Sequence, residues 1–358
     1  MKLFNKNVIY TFAILLITIL PLTGCWDNKD INHRLLPVVL GVSKIENEYE
    51  VIINLPVSNA GKIESRIVSF KDKTIAKAID TISRNLESRV DLLHVKLIII
   101  ERGAAEDGVK DIIGGFMRSR EVSPKALVAI SDEDINVLFS KLKDTIGLVG
   151  STTVDFFEKN AGWDPDIALT RVWEVYRGIH SYTYDVAIPL IRSGDEFPME
   201  QIGSAIVKNG KMVDQISPDE TLLYNIFKGE SSSGEIEVME KATVRIVNNS
   251  IHHKGSFHNN QPFLKSKIKL KVVILETRGE PSLNEIKKEL NQALSERFNI
   301  MILKTKENKA DIFGIGQFFR RELTRKELKN WRTKYYTNLK MDIQFNVDIQ
   351  NQGYLITS

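Results

Sequence analysis

Residues 339–349 read LKMDIQFNVDI, and Leu339, Met341, Ile343, Phe345, Val347 and Ile349 alternate with polar residues without a break. Successive side chains on a strand point to opposite faces, so this spacing predicts a strand with one dry and one wet face. The same pattern occurs upstream, where Ile268, Leu270, Val272 and Ile274 alternate with Lys267, Lys269 and Lys271. Between the two the period changes. Leu283, Ile286, Leu290, Leu294, Phe298 and Met301 recur at spacings of 3, 4, 4, 4 and 3, the stripe of a long amphipathic helix from Ser282 to about Ile302. Pro281-Ser282 opens it, and Glu285 follows Ser282 by three residues, the pattern of a capping box. Half-wet strands and a one-stripe helix bury their dry sides against each other. The expected fold class is therefore α+β, with a C-terminal antiparallel sheet covered by a long helix.

Working toward the N-terminus, Arg192 to Pro198 (RSGDEFP) is rich in turn formers and separates two apolar segments. Just beyond it, Ile202 to Val207 and Lys211 to Val213 flank Asn209-Gly210, a pair suited to a type I′ hairpin turn. Upstream, Leu36 to Ser43 and Tyr49 to Val57 read as a hairpin, and Ile75, Ile79, Ile82 and Leu86 mark a helix within Thr74 to Ser88. His94 to Glu101 (HVKLIIIE) has a continuous apolar centre, as expected of a central strand buried on both faces. Helical patterns follow over Gly103 to Met117, from Ser131 through Leu142, near Thr152 to Lys159, and over Ala168 to Tyr176. Strands are expected at Ala126 to Ile130 and Asp185 to Ile191. The whole is a multi-domain chain of mixed and antiparallel sheets with packed helices. The expected division is residues 1–24 as a signal peptide, 25–197 as an N-terminal domain of one or two lobes, and 198–358 as a C-terminal α+β domain.

The first residues read as an export signal. Lys2 and Lys6 precede Val8 to Leu20 (VIYTFAILLITIL), an uncharged run shorter than the roughly 20 apolar residues of a membrane span. Pro21 ends it, and Leu22-Thr23-Gly24-Cys25 looks like a bacterial lipobox. In that motif a thiol at the last position accepts diacylglycerol, and cleavage then leaves the cysteine as the first residue. An uncleaved anchor helix with an incidental cysteine is the simpler alternative, but Pro21 and the small residues suit processing better. Cys25 is the only cysteine among 358 residues, so no thiol remains for disulfides, thiolate metal sites or nucleophilic catalysis. Two acyl chains on one residue hold far more firmly than a single marginal one.

Charged residues make up 27% and apolar ones 42%, which suits a globular chain rather than a disordered one. The formal charge is +3, and removal of Lys2 and Lys6 with the signal leaves 3 − 2 = +1. A near-neutral body is not expected to bind nucleic acid, which calls for a strongly basic face. Chemistry-bearing motifs are sparse. His252, His253 and His258 suggest a metal, but adjacent strand residues face opposite ways and cannot converge on one ion. Asp164 and Asp166 in WDPD lack the spacing and glycine of a calcium loop, and a turn at Pro165 accounts for them. Gly314-Ile-Gly316 is a fragment of a dinucleotide fingerprint without its third glycine. No P-loop, HExxH or GxSxG occurs, so no enzyme, cofactor or metal is expected.

Several stretches together carry a family resemblance: GCWD at Gly24 to Asp27, LHVKLIIIE at Leu93 to Glu101, FMRSREV at Phe116 to Val122, ADIFGIGQFFRR at Ala310 to Arg321, and WRTKYY at Trp331 to Tyr336. In this order and spacing the chain resembles the Ger(x)C lipoproteins, the C subunits of spore nutrient-germinant receptors. The resemblance runs over essentially the whole chain and marks Trp26, Asp27, Asp311, Phe313, Gly314, Gly316 and Trp331 as family-motif positions. The approach to DIFG departs from the family's Gln-rich pattern, reading Lys304 to Lys309 (KTKENK), which leaves those positions without an assigned role.

The resemblance implies a non-catalytic subunit of a receptor for germination, working beside a membrane A subunit and a transporter-like B subunit. It further implies attachment through N-palmitoyl, S-diacylglycerol Cys25 to the outer face of the cell membrane, which becomes the inner membrane of the spore. The anchor alone also fits a substrate-binding lipoprotein of an ABC importer. For DIFGIG itself, Ile312, Phe313 and Ile315 are expected to fill a core while the glycines permit a tight bend, with a partner contact as the other possibility.

Overall fold

Lys-Ile-Glu-Asn at residues 44–47 closes the first hairpin, with Glu46 at φ 53°, and joins β1 (Val39–Ile45) to β2 (Glu48–Asn59). The computed structural model describes Tyr10 and residues 34–59, 62–119, 121–146, 149–158, 165–230, 236–259 and 261–351. The chain divides into two units, Met1–Arg34 and Leu35–Ser358, and everything below concerns the second. The lipobox, Cys25, Trp26, Asp27 and Asp164 lie outside the described residues. Among the described residues no helix is long and apolar enough to cross a membrane.

β3 (Lys62–Asp72) pairs antiparallel with β2, and α1 (Ile75–Arg84) follows, its first turn capped by the Thr74 hydroxyl. The LIIIE segment forms β4 (Leu97–Glu101), whose first four residues are completely buried. Parallel neighbours on both sides explain this: β1 on one, β5 (Leu127–Ser131) on the other. The helix expected over Gly103 to Met117 is two helices, α2 (Arg102–Asp107) and α3 (Lys110–Ser119). Gly108 separates them at φ 136°, a conformation that residues with a Cβ avoid.

The chain continues through α4 (Ile135–Ile146), α5 (Val149–Glu158) and α6 (Val172–His180) to β6 (Val186–Arg192), which lies parallel beside β5. β7 (Glu200–Lys208) and β8 (Lys211–Ile216) then form the expected hairpin, with Asn209 and Gly210 both at positive φ. This hairpin joins the same sheet through β6, so eight strands run in the order β8-β7-β6-β5-β4-β1-β2-β3 and the sheet continues past Pro198. Alternate residues of the central strands feed two cores. Leu40, Ile98 and Ile100 pack with Ile112, Ile113 and Phe116 of α3, while Val39, Leu97 and Ile99 pack with Ile135, Leu138 and Phe139 of α4. A Cβ on Gly41 would stand 2.9 Å from both Ile135 and Phe139, so this glycine lets α4 lie directly on β1.

The C-terminal part begins with α7 (Pro218–Lys228), which has a Ser217–Glu220 capping box at its start and left-handed Gly229 at its end. A four-stranded sheet follows, in the order β9 (Ile236–Val238), β10 (Ala242–His258), β11 (Gln261–Thr277) and β12 (Lys340–Asn351). Between β11 and β12 runs α8 (Leu283–Glu307), opened by the expected Ser282–Glu285 capping box. Ile286, Leu290, Leu294, Phe298 and Met301 of α8 are buried against the dry side of the sheet. At roughly 1.5–3 kcal/mol per large apolar side chain, this stripe contributes on the order of 10 kcal/mol before conformational entropy is counted. β9, β10 and β11 are antiparallel as expected, but β12 joins parallel to β11. The crossover through α8 returns the chain to the end from which β11 started, and such a return requires a parallel neighbour.

The other sequence features resolve simply. Lys267, Lys269 and Lys271 are exposed on the wet face. His252 is exposed, whereas His253 turns inward to Ser266 Oγ and the Phe227 carbonyl, at 2.8 and 3.1 Å. Pro165 and Asp166 lie in a turn. Among the described residues no group of three or more His, Cys, Asp or Glu side chains is placed to hold a metal ion.

Candidate functional site

After α8 the chain must turn back toward β12, and the DIFGIG segment makes that turn. Lys309 takes φ 52°, Gly314 takes φ 67°, and Ile315–Phe319 winds into a 3-10 turn. The Asp311 carboxylate caps this turn. Its Oδ1 accepts from the Ile315 N–H at 2.8 Å, and its Oδ2 accepts from the Gly316 N–H and the Trp331 indole Nε1–H, each at 2.8 Å. Close approach explains the glycines. A Cβ on Gly316 would lie 2.6 Å from Trp331 Cε2 and 2.7 Å from Thr183 Cβ, and one on Gly314 would lie 2.7 Å from Tyr184. Ile312, Phe313 and Ile315 are buried, with the Phe313 ring set among Tyr224, Phe227 and Phe298.

The turn is fixed to the eight-stranded sheet by a residue just before β6. Asp185 and Asp311 exchange backbone contacts: the Asp185 N–H donates to the Asp311 carbonyl at 2.8 Å, and the Asp311 N–H donates to Asp185 Oδ2 at 2.9 Å. Arg332 completes the arrangement. Its Nε and Nη2 donate to the two Asp185 oxygens at 2.8 Å each, and Nη2 also donates to the carbonyls of Ser181 and Tyr184. The Asn209 N–H, in the β7–β8 turn, donates to Asp185 Oδ1 at 3.1 Å. One fully buried carboxylate thus ties β6, the β7–β8 turn, the DIFG turn and the Trp331 segment together.

Electrostatically, the guanidinium of Arg332 pairs with Asp185 alone, and Asp311 is held by amide and indole donors without a cation of its own among the described residues. Burial pushes the Asp311 carboxyl up to about 7, against the Gly316 and Ile315 amides and the Trp331 indole, which favour its anion. A planar guanidinium fits a carboxylate with two parallel bonds, which is why Arg occupies this place rather than Lys. Removing one member of such a buried pair leaves an uncompensated charge and costs about 3–5 kcal/mol.

The approach residues of α8 reinforce the joint. Lys304 Nζ meets Glu220 at 3.0 Å and the Gln215 carbonyl at 3.2 Å, and Asn308 Nδ2 donates to Asp214 Oδ2 at 2.7 Å. Lys306 Nζ donates to the Leu339 carbonyl at 2.7 Å. KTKENK therefore has a structural account of its own, in bonds from the last turns of α8 to β8, α7 and the start of β12.

Of the sequence-marked positions, Asp311, Phe313, Gly314, Gly316 and Trp331 converge on this one locus. Sequence reasoning missed Asp185 and Arg332. Arg332 stood inside the WRTKYY motif, and Asp185 was visible only as the acidic residue opening an apolar strand, a signal without specificity. The arrangement is suited to holding layers together, because the oxygens of both carboxylates are occupied by protein donors and neither Asp185 nor Asp311 is exposed. A cavity of about 70 Å³ adjoins it, lined by Tyr184, Tyr224, Asn225 and Lys228, large enough for water. A wider groove of about 570 Å³ lies elsewhere, between α1 and α3.

Comparisons with known proteins fall on the same two parts of the chain. Residues 27–193 match the family described as the spore germination protein N-terminal domain, and residues 202–353 match the spore germination B3/GerAC-like C-terminal domain. Asp185 lies in the first match, and Asp311, Trp331 and Arg332 lie in the second, so the clamp joins the two. The chain is 20% identical over 390 residues to spore germination protein KC of Bacillus subtilis (strain 168), covering 95% of each. It is 20% identical over 309 residues to spore germination protein GerQC of Bacillus cereus, covering 82% of this chain and 84% of that one. The crystal structure of the GerBC protein shares the fold, with a TM-score of 0.57 at 14% identity over 87% of this chain and 97% of that one.

Proposed function

The chain belongs to the GerAC-like family of spore germination proteins, and from that premise we propose that it is the lipid-anchored, non-catalytic C subunit of a nutrient-germinant receptor. The observation that carries this reading is the presence of both family domains in order, covering residues 27–193 and 202–353. The buried clamp supports it physically, since its charged groups serve to hold the fold together. An importer's substrate-binding lipoprotein, the other reading of the anchor, gains no support from either domain.

In this reading Cys25 carries the acyl chains, and the body is held at the outer face of the membrane that becomes the spore inner membrane. Its partners are the membrane A and B subunits. Tethering raises the local concentration of the body near those partners, so modest contacts suffice for assembly. Deletion of the gene tests the proposal. Spores lacking the chain are expected to lose the response to one nutrient set while still germinating by a route that bypasses nutrient receptors. An unchanged response to every nutrient would contradict it.

A further inference from the structure

Every sheet edge presents unpaired backbone groups that can template another strand, and folded proteins blunt such edges with short strands, bulges or inward charges. Of the four edges of the eight- and four-stranded sheets, three are blunted. β9 has three residues and β8 has six with a register shift between Met212 and Asp214. β3 carries Arg66 opposite Leu55, so a charge sits on the same face as the core.

The fourth edge, β12, differs. It has twelve residues without proline, and from Lys340 to Ile349 it pairs with β11 on one side without a shift. Among the described residues no strand pairs with its other side. Its dry-face residues are Met341, Ile343, Phe345, Val347 and Ile349, with no charge among them. On neighbouring β11, Leu264, Ile268, Leu270 and Val272 are completely buried, whereas on β12 only Val347 is buried and the other four remain partly exposed. The cover supplied by α8 therefore fades at this edge, where a further strand would complete it.

We propose that β12 of a second copy of this chain pairs antiparallel with β12, joining two four-stranded sheets into one of eight strands. Face matching restricts the register, because dry residues must meet dry residues. Centring the pairing on Gln344 sets Met341 opposite Val347 and Ile343 opposite Phe345 on the dry face. On the wet face it sets Lys340 opposite Asp348 at both ends and Asp342 opposite Asn346. Two opposite-charge pairs form and no like charges meet. Centring on Phe345 instead places Asp342 opposite Asp348 twice, which repels.

The test uses the full chain in detergent with Cys25→Ser, which removes its one native thiol. Sedimentation velocity over a concentration series is expected to show a monomer–dimer equilibrium. Either single reversal, Lys340→Asp or Asp348→Lys, is expected to weaken it about tenfold, and the double reversal to restore it. In that background Gln344→Cys is expected to form a disulfide-linked dimer on mild oxidation, because directly opposite residues lie within disulfide reach, and Gln350→Cys is not. A chain that stays monomeric throughout overturns the proposal. So does a dimer indifferent to the single reversals, or one that the double reversal weakens further. Proper folding of each variant is checked by an unchanged unfolding midpoint, since Lys340, Gln344 and Asp348 are exposed.

Discussion

Asp185 and Arg332 stand 147 residues apart in sequence and meet through two parallel hydrogen bonds of 2.8 Å, with the carboxylate wholly removed from water. One residue belongs to the N-terminal family domain and the other to the C-terminal one. Their contact makes the two domains one mechanical body at this point.

The pair is expected to be worth more to cohesion than its size suggests. Arg332→Met should destabilise the chain by about 3–5 kcal/mol, because Asp185 is left charged and buried. Adding Asp185→Asn to it should cost less than the sum of the two single changes. Urea unfolding of the four chains measures this coupling, and additive effects would show that the two side chains act independently.

Asp311 gives the fold a pH dependence of known sign. Its carboxyl titrates at about 7 in the folded chain and near 3.8 when unfolded, so the folded state holds the proton more tightly. The resulting stabilisation is complete below about pH 3.8 and disappears as pH rises through about 7. Asp311→Asn, which does not titrate, should flatten the fall in stability between pH 5 and pH 8. The Asn amide cannot accept from all three donors, so the variant should also be less stable by about 1–3 kcal/mol at pH 5.

Two glycines should answer oppositely to alanine. Gly316→Ala forces a methyl within 2.6 Å of Trp331 and should destabilise by about 1–3 kcal/mol, with a change in indole fluorescence. Gly115 lies inside α3 with nothing within 4 Å of the added carbon. Gly115→Ala should therefore stabilise by up to about 1 kcal/mol through helix propensity. Thermal melts of both variants decide the matter.

Much of this architecture was legible because periodicity reports burial. The α8 stripe, its capping box and the alternation around β11 and β12 each express one face packed and one face wet. The direction of β12 was not legible, since alternation is identical for parallel and antiparallel strands and only the crossover path decides. The clamp was half legible. Asp311, Gly314, Gly316 and Trp331 stood out as a motif, and two of their constraints, a capped turn and a missing Cβ, are local. Asp185 was silent because its partners come from residues far along the chain, and one acidic residue before a strand is ordinary.

The proposed lipid attachment at Cys25 has a consequence separable from folding. Cys25→Ala should leave the body folded, with an unchanged unfolding midpoint, yet release it from the spore membrane fraction into the soluble one. Full retention of the alanine variant would mean that something other than the acyl chains holds the protein there.

The most direct measurement is affinity purification of the tagged chain from detergent-solubilised spore membranes, followed by mass spectrometry of what accompanies it. A receptor C subunit is expected to bring down one membrane A subunit and one transporter-like B subunit in stoichiometric amounts. Recovery of the intact, lipidated chain with neither of them would contradict the account.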